Sequence, residues 1–356
     1  MTTTRTSDLR IPRQRAGSSR VDQVSVPRPK PTGPAITTGP RTLMVAATGG
    51  HLEQLFRFTS RFAPASGQVE WVTHDDPQSQ SLLAHQKVHF IPYVPPRGWR
   101  EILRTEPQAL SILRQGRFDR VVSTGAGVAI PFVTTARMLG IPCHYIESAA
   151  RADGPSLTGR VMQRTPGVNL YSQYSRWSDD RWSYRGSLFD SFRARPVAAR
   201  APRRVVVTLG TMRAYSFRRA VDRLIDILPA VLAPDAEVVW QVGATDPGGL
   251  AGDVRVSLAN AELRALISSA DLVIAHAGIG SALTALELGC RPVLLPRRAA
   301  HQEHVDDHQT LIARELDSRG LAISREADLV TADDLLAATA ARVDLNQAPA
   351  PFSLRS

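Results

Sequence analysis

The stretch ADLVIAHAGIGSALTALELGCRPVLLPRRAAHQEHVDDHQ, residues 270–309, sets the fold of the chain around it. Residues 272–275 are a short apolar run of the kind buried in a parallel sheet, His276-Ala277-Gly278-Ile279-Gly280-Ser281 is a small-residue turn, and residues 282–288 carry a helical pattern. Strand, glycine turn and helix in that order make a seat for a phosphate. Glycines let the backbone come close to a ligand, and the free N–H groups that open a helix, with the positive end of its dipole, favour an anion. Gly289 ends the helix, Pro292 opens a strand at 293–295, and Pro296-Arg297-Arg298 closes it. The polar run from His301 to Gln309 predicts a second loop-to-helix junction.

The same device recurs along the chain. Residues 42–47 are an apolar run that feeds Thr48-Gly49-Gly50-His51, residues 119–127 repeat the pattern as DRVVSTGAG, and residues 204–211 as RVVVTLGT. Further strands are predicted at 69–73, 89–93, 142–146, 238–242 and 254–258. Helices are predicted at 99–114, interrupted by Pro107, at 216–232 and at 261–270. Residues 170–182 mix polar and aromatic side chains without a clear period. Strands alternating with helices predict an α/β protein with doubly wound parallel sheets, and the Arg-, Ala- and Pro-rich stretch at 193–204 is the best boundary. The expected organisation is a disordered basic tail at 1–40, a Rossmann-like domain at 41–189, a linker at 190–203, a second Rossmann-like domain at 204–343 and a loose tail at 344–356. Two such domains facing a cleft would bind ligands at the carboxyl ends of their strands.

Composition narrows the partners. With 356 residues and 43% hydrophobic side chains the chain can bury two cores, and its two cysteines, Cys143 and Cys290, both beside apolar strands, read as buried thiols. No secretory h-region and no spanning run of about 20 apolar residues is expected. The net charge is +10, but the six Arg and one Lys of residues 1–40 against two Asp supply +5 of it. The remainder suits an anionic membrane face or a diphosphate substrate better than nucleic acid, which is not expected as a partner.

Three motifs carry a family resemblance. The HAGxGS turn, the P-x-x-x-P-R spacing and the EHVDDHQ run resemble the donor half of GT-B glycosyltransferases of the family 28 type. The GGHLEQL, VSTGAGVAIPF and YIESAARADGPSLTGR runs resemble the partner subunit found in two-subunit members, which positions a lipid-linked acceptor and recruits the donor subunit to the membrane. Across residues 41–340 the chain is thus similar to both subunits of a lipid-linked-oligosaccharide UDP-N-acetylglucosamine transferase, or of its bacterial exopolysaccharide counterparts, fused head to tail. The resemblance implies an inverting transfer from a UDP-sugar to a polyprenyl-diphosphate-linked acceptor, without metal or other cofactor, by an enzyme peripheral on the cytoplasmic face of the cell membrane.

Site residues follow from both readings. The diphosphate is expected on Gly210 and Thr211 and on the turn of His276, Gly278, Gly280 and Ser281, with Gln241 and Gly243 lining the same pocket. Many relatives hold ribose with a Glu eight residues after the motif His; Thr284 stands there and Glu287 one helical turn later, so either is a candidate. His304, Asp307, His308 and Gln309 are candidate contacts to the donor sugar. His51 is the candidate base, with Glu147 or Asp153 as competitors, and Gly49, Gly50, Ser123, Thr124, Gly125 and Gly127 are expected at the acceptor. His301, Glu303, His304 and His308 have spacings that could share a helix face as metal ligands, but there is no Asp-x-Asp triplet and a metal-free site is expected. Trp99, Ile102, Leu103, Leu110 and Leu113, flanked by Arg97, Arg100, Arg104 and Arg114, suit either a helix lying on an anionic bilayer or one packed on the sheet. The rival functions are a nucleotide-sugar 2-epimerase and a non-catalytic UDP-sugar-binding scaffold.

Overall fold

Every residue of the strand TLMVA at 42–46 is buried, as a continuous apolar run should be when helices cover both faces of a parallel sheet. This is β1 (Thr42–Ala46), and the computed structural model describes it among residues 39–62, 67–95, 98–210, 214–346 and 349–355. Almost all of the expected basic tail, Arg97 and Thr211 lie outside the described residues.

The first half continues with α1 (Gly50–Phe62), β2 (Val69–His74), α2 (Pro77–Leu82), β3 (Lys87–Ile91), α3 (Trp99–Gly116), β4 (Arg120–Gly125), α4 (Ala129–Met138), β5 (Cys143–Ile146), α5 (Leu157–Arg164), β6 (Val168–Ser172) and β7 (Trp182–Tyr184). After β8 (Phe192–Pro196), the second half holds β9 (Arg204–Thr208), α6 (Arg218–Ile227), β10 (Glu237–Gln241), β11 (Asp253–Arg255), α7 (Asn260–Ser269), β12 (Leu272–His276) and α8 (Ile279–Glu287). It ends with β13 (Val293–Leu295), α9 (His308–Ser318), β14 (Ile323–Ser324), α10 (Ala332–Thr339) and β15 (Ala341–Leu345).

Seven strands form one sheet in the order β3-β2-β1-β4-β5-β6-β7 and six form another, β11-β10-β9-β12-β13-β14, with parallel pairing throughout both. Both are doubly wound. Strand order reverses between β1 and β4 in the first sheet and between β9 and β12 in the second, which are the points where such sheets open a crevice for ligands. Thr37–Ser356 forms one compact unit, and a single apolar cluster runs from Met44 and Leu55 of the first half to Leu283, Leu294 and Ile312 of the second.

Several elements differ from expectation. Pro107 does not interrupt α3, which runs on for 18 residues because Thr105, Ala109 and Leu113 are buried along one face; tertiary packing outweighs the local cost of the proline. The helix expected at 216–232 stops at Ile227 and tightens into a 3₁₀ turn where Pro229 intervenes. The strand expected at 254–258 is the three-residue β11. Residues 170–182 gain order from partners: the Gln173 side chain donates to Glu147 O (2.9 Å) and accepts from Leu188 N (3.0 Å).

The expected linker contains β8, which pairs antiparallel with β15. Nor is the C-terminal tail loose. Phe352 is 1% exposed, with its ring 5.1 Å from Phe58 and 5.3 Å from Tyr171 between centroids, and Arg355 N–H donates to Tyr171 Oη (2.7 Å). Cys143 and Cys290 are buried and free.

Candidate active site

Two helix N-termini converge between the halves. Gly50 opens α1 and Ile279 opens α8, and a Cβ placed on Gly50 would come within 3.3 Å of the Ile279 side chain. Each helix start has backbone N–H groups without intrahelical partners, so their meeting gives the cleft a positive potential from dipoles alone. The cavity there has a volume of about 1860 Å³. Gly49 and Gly50 line it from the first half; Gly210, Gln241, His276, Gly278, Gly280, Ser281, Thr284, Glu287, His304 and Gln309 line it from the second.

On the second half His276 is the packing centre. A Cβ on Gly278 would lie 2.4 Å from its Nε2, and one on Gly210, at φ +88°, would lie 3.0 Å from its ring, so glycine is required at both turns by the imidazole itself. Its Nδ1 faces Thr208 O at 3.4 Å; a carbonyl only accepts, which puts the proton on Nδ1. Burial, and then the Arg297 charge, lower its pKa to about 4, so the ring is neutral. Gly280 is different: it is exposed, and a Cβ there would meet nothing within 4 Å.

The Gln241 amide is held at both ends, donating to Thr208 Oγ1 (2.9 Å) and accepting from Leu258 N (2.9 Å). Gly243, at φ +62°, shapes the turn after β10 and is not among the residues that line the cavity. Thr284 and Glu287 both line it, and the Glu287 carboxylate is held by Arg57 from α1, across the cleft, and by Arg264 (3.1 Å).

Beyond β13 the Gln309 Oε1 accepts from Arg297 N (3.1 Å). Asp307 and His308 lie apart from the main cavity, in a smaller one of about 340 Å³ with Asp153, Arg298 and Arg314, and His308 touches Arg151 and approaches Asp153 (3.9 Å) of the first half. Residues 302–307 are not helical, so His301, His304 and His308 do not share a helix face. No group of three or more His, Cys, Asp or Glu residues is placed to hold a metal among the described residues.

On the first half His51 is clamped. Its Nδ1–H donates to Thr124 O (2.7 Å), while Thr124 Oγ1 donates to His51 O (2.7 Å). The proton is therefore on Nδ1, and Nε2 carries the free lone pair. Burial, offset by the Thr124 bond and aided by Arg151, lowers the pKa, so the ring is neutral near pH 7. His51 stands behind the Gly49–Gly50 rim and is partly exposed, although it is not itself part of the cavity lining. Ser123 and Thr124 are buried, and Ser123 Oγ accepts from Gly125 N (3.0 Å). These hydroxyls brace the loop that holds His51. Gly125, at φ +111°, would clash with Tyr145 Oη through any Cβ, and Gly127 with Val94.

Glu147 calls for a correction. Its carboxylate is wholly buried and accepts from Ser148 N (2.9 Å), Ser156 N (2.9 Å) and Ser156 Oγ (3.0 Å); burial raises its pKa against those bonds. It staples the 148–156 loop and has no reach to a substrate. Asp153, the other carboxylate candidate, is exposed and lines only the smaller cavity.

Arg297, which the sequence marks only as a strand end and as the last residue of the P-x-x-x-P-R spacing, is a further residue of the site. It is 1% exposed yet lines the cavity. Its guanidinium donates to Leu209 O (2.5 Å), Tyr215 O (3.2 Å) and Glu303 O (3.3 Å) and lies 5.3 Å from the Phe217 ring centroid. The P-R spacing was the available signal, but burial of an arginine is not a local property.

Residues 204–342 match the glycosyltransferase family 28 C-terminal domain. Over 322 residues the chain is 28% identical to the UDP-N-acetylglucosamine–N-acetylmuramyl-(pentapeptide) pyrophosphoryl-undecaprenol N-acetylglucosamine transferase of Burkholderia multivorans, covering 81% of this chain and 84% of that protein. The transferase of the same name from Shewanella amazonensis is 26% identical over 319 residues, covering 80% and 84%. Among solved structures, Acinetobacter baumannii MurG superposes with a TM-score of 0.52 at 21% identity over 84% of this chain and 89% of that one. The UDP-GlcNAc 2-epimerase of Methanocaldococcus jannaschii gives 0.55 at 10% identity, over 84% and 91%. At such identities the superpositions speak for the two-domain fold alone.

Proposed function

We propose that this chain, a GT-B glycosyltransferase of the family 28 type, moves a sugar from a UDP-sugar to a hydroxyl of a polyprenyl-diphosphate-linked acceptor, with inversion and without a metal ion. The observation that carries this reading is that the start of α8 opens on the cavity while a neutral His51, with Nε2 unprotonated, stands behind the Gly49–Gly50 rim on the opposite half. The donor diphosphate rests on the helix start, with Ser281 donating, while Thr284 and Glu287 stand at the ribose. His51 Nε2 takes the proton of the acceptor hydroxyl as its oxygen attacks the anomeric carbon from the face opposite the diphosphate, and the negative charge passes to a leaving group already surrounded by N–H donors. Attack opposite the leaving group inverts the anomeric configuration.

A lipid tail on the acceptor suits the outer face of α3. The expected apolar stripe is divided: Leu113 is buried, whereas Trp99 and Leu103 are exposed, as are Tyr93 and Phe90 on and after β3. Arg100 stacks on Trp99 at 5.3 Å, and Arg104 is also exposed. Aromatic tips ringed by arginine are suited to the headgroup region of an anionic leaflet, which supports a peripheral enzyme on the cytoplasmic face. No described helix is long and apolar enough to cross a membrane.

The test is an assay of the purified chain with UDP-N-acetylglucosamine and other UDP-sugars, with and without a polyprenyl-diphosphate-linked saccharide. Transfer only in the presence of acceptor, undiminished by excess EDTA, is expected. Epimerised UDP-sugar in the absence of acceptor, or binding without turnover under any condition, would replace this reading with an epimerase or a scaffold.

A further inference from the structure

We propose that Arg297 binds the diphosphate of the donor, as a permanent cation set beneath the two glycine turns of the second half. The proposal rests on the reading of this cleft as a nucleotide-sugar site. β13 ends at Leu295, and Pro296 delivers Arg297 against the Leu209 carbonyl, where the residue is 1% exposed and still lines the cavity.

What distinguishes this arginine is the company it keeps. Its hydrogen-bond partners are the carbonyls of Leu209, Tyr215 and Glu303, which carry no net charge. The nearby Glu303 carboxylate is committed elsewhere, to Arg219 (3.1 and 3.0 Å) and to Arg298 N (3.0 Å). Among the described residues Arg297 makes no ion pair, and its buried Nε has no hydrogen-bond partner. Contrast Arg319, which is answered by Glu315 and Asp190. A buried cation without a counter-ion is costly to the folded state, and the cost is recovered when an anion arrives. Burial lowers the guanidinium pKa and the Glu303 charge partly offsets this; an arginine keeps its charge in a protein.

The anion that fits is defined by the surroundings. The guanidinium is bonded to the carbonyl of Leu209, the residue before Gly210, and its charge acts on the neutral His276 that supports Gly278. A nucleoside has nothing to offer a buried cation, whereas a diphosphate spanning the two turns would neutralise it. The leaving diphosphate gains charge as the glycosidic bond breaks, so the same contact strengthens along the reaction.

The experiment is calorimetric titration of the full chain with UDP, UMP and uridine, for wild type, Arg297→Lys and Arg297→Gln, with melting curves for each. Arg297→Gln should lose at least roughly tenfold in UDP affinity while uridine affinity stays within about threefold, and Arg297→Lys should keep most of the preference for UDP. Equal losses for UDP and uridine in Arg297→Gln would assign the residue a structural role and overturn the proposal, as would unchanged UDP affinity. Should Arg297→Gln not fold, the wild type decides: inorganic pyrophosphate at millimolar concentration should raise its melting temperature, and no rise overturns the proposal. A wild type that binds neither UDP nor uridine would instead remove the donor-site reading itself.

Discussion

The two halves of the molecule build the same device and finish it differently. In each, a central strand runs into a glycine turn and a helix at the point where strand order reverses. In the second half the turn is left open: Gly280 is exposed, Ser281 and Thr284 line the cavity, and a cation is buried nearby. In the first half Gly49 and Gly50 also line the cavity, but the side chains behind them are tied up by protein. Thr124 grips His51 from two directions, Ser123 ties the next turn, and Glu147 spends its lone pairs on the following loop. Both sides therefore present a helix start to the cleft; the second adds a buried cation near it, and the first a neutral imidazole behind its rim. A shared topology does not dictate a shared chemistry; the side chains packed under the turn do.

The largest expected effect tests the acceptor side. His51→Ala should lower transfer by about 100-fold or more while UDP affinity changes by less than about twofold, measured by steady-state turnover and calorimetry. Retention of more than about a tenth of wild-type turnover would leave His51 without a role as base.

A second test sets two glycines of one turn against each other. Gly278→Ala pushes a methyl into His276 and should destabilise the donor half and abolish UDP binding, whereas Gly280→Ala should melt like wild type, since its methyl enters open space. Equal melting temperatures for the two variants would refute the picture of His276 as the packing centre.

The smallest effect is one that the halves share. His144 in the first sheet and His276 in the second each have a pKa lowered to about 4, by burial foremost and then by Arg120 and Arg297 respectively. Below pH 6.5 the unfolded chain takes up protons that both folded rings refuse, so stability should decline as pH falls from 6.5 towards 4. Urea melts at pH 7 and pH 5 check this, and His144→Gln should reduce the difference between them.

How far the sequence could be read followed the range of the forces involved. The central strands and their glycine turns announced themselves through local pattern, because apolar runs and turn residues act within a few positions. The pairing of β8 with β15 did not, since residues 192–196 and 341–345 carry no local sign of each other. The same limit explains Glu147 and Arg297. Both were legible as charged residues at strand ends, but the bonds that make one a staple and leave the other without a counter-ion come from residues distant in the chain.

The return of the C-terminal tail has a consequence for how the molecule can be taken apart. Phe352 and Arg355 sit on the first half, Arg61 donates to Ala350 O, and β15 lies against β8, so the polypeptide passes between the halves twice and the crossings run side by side. No single cut releases an intact second half. A fragment beginning near residue 190 would carry an orphaned phenylalanine, and one ending near residue 189 would lack the segment that covers Phe58. The halves are joined by two paired crossings instead of one, so a cut at either exposes side chains that the other half buries.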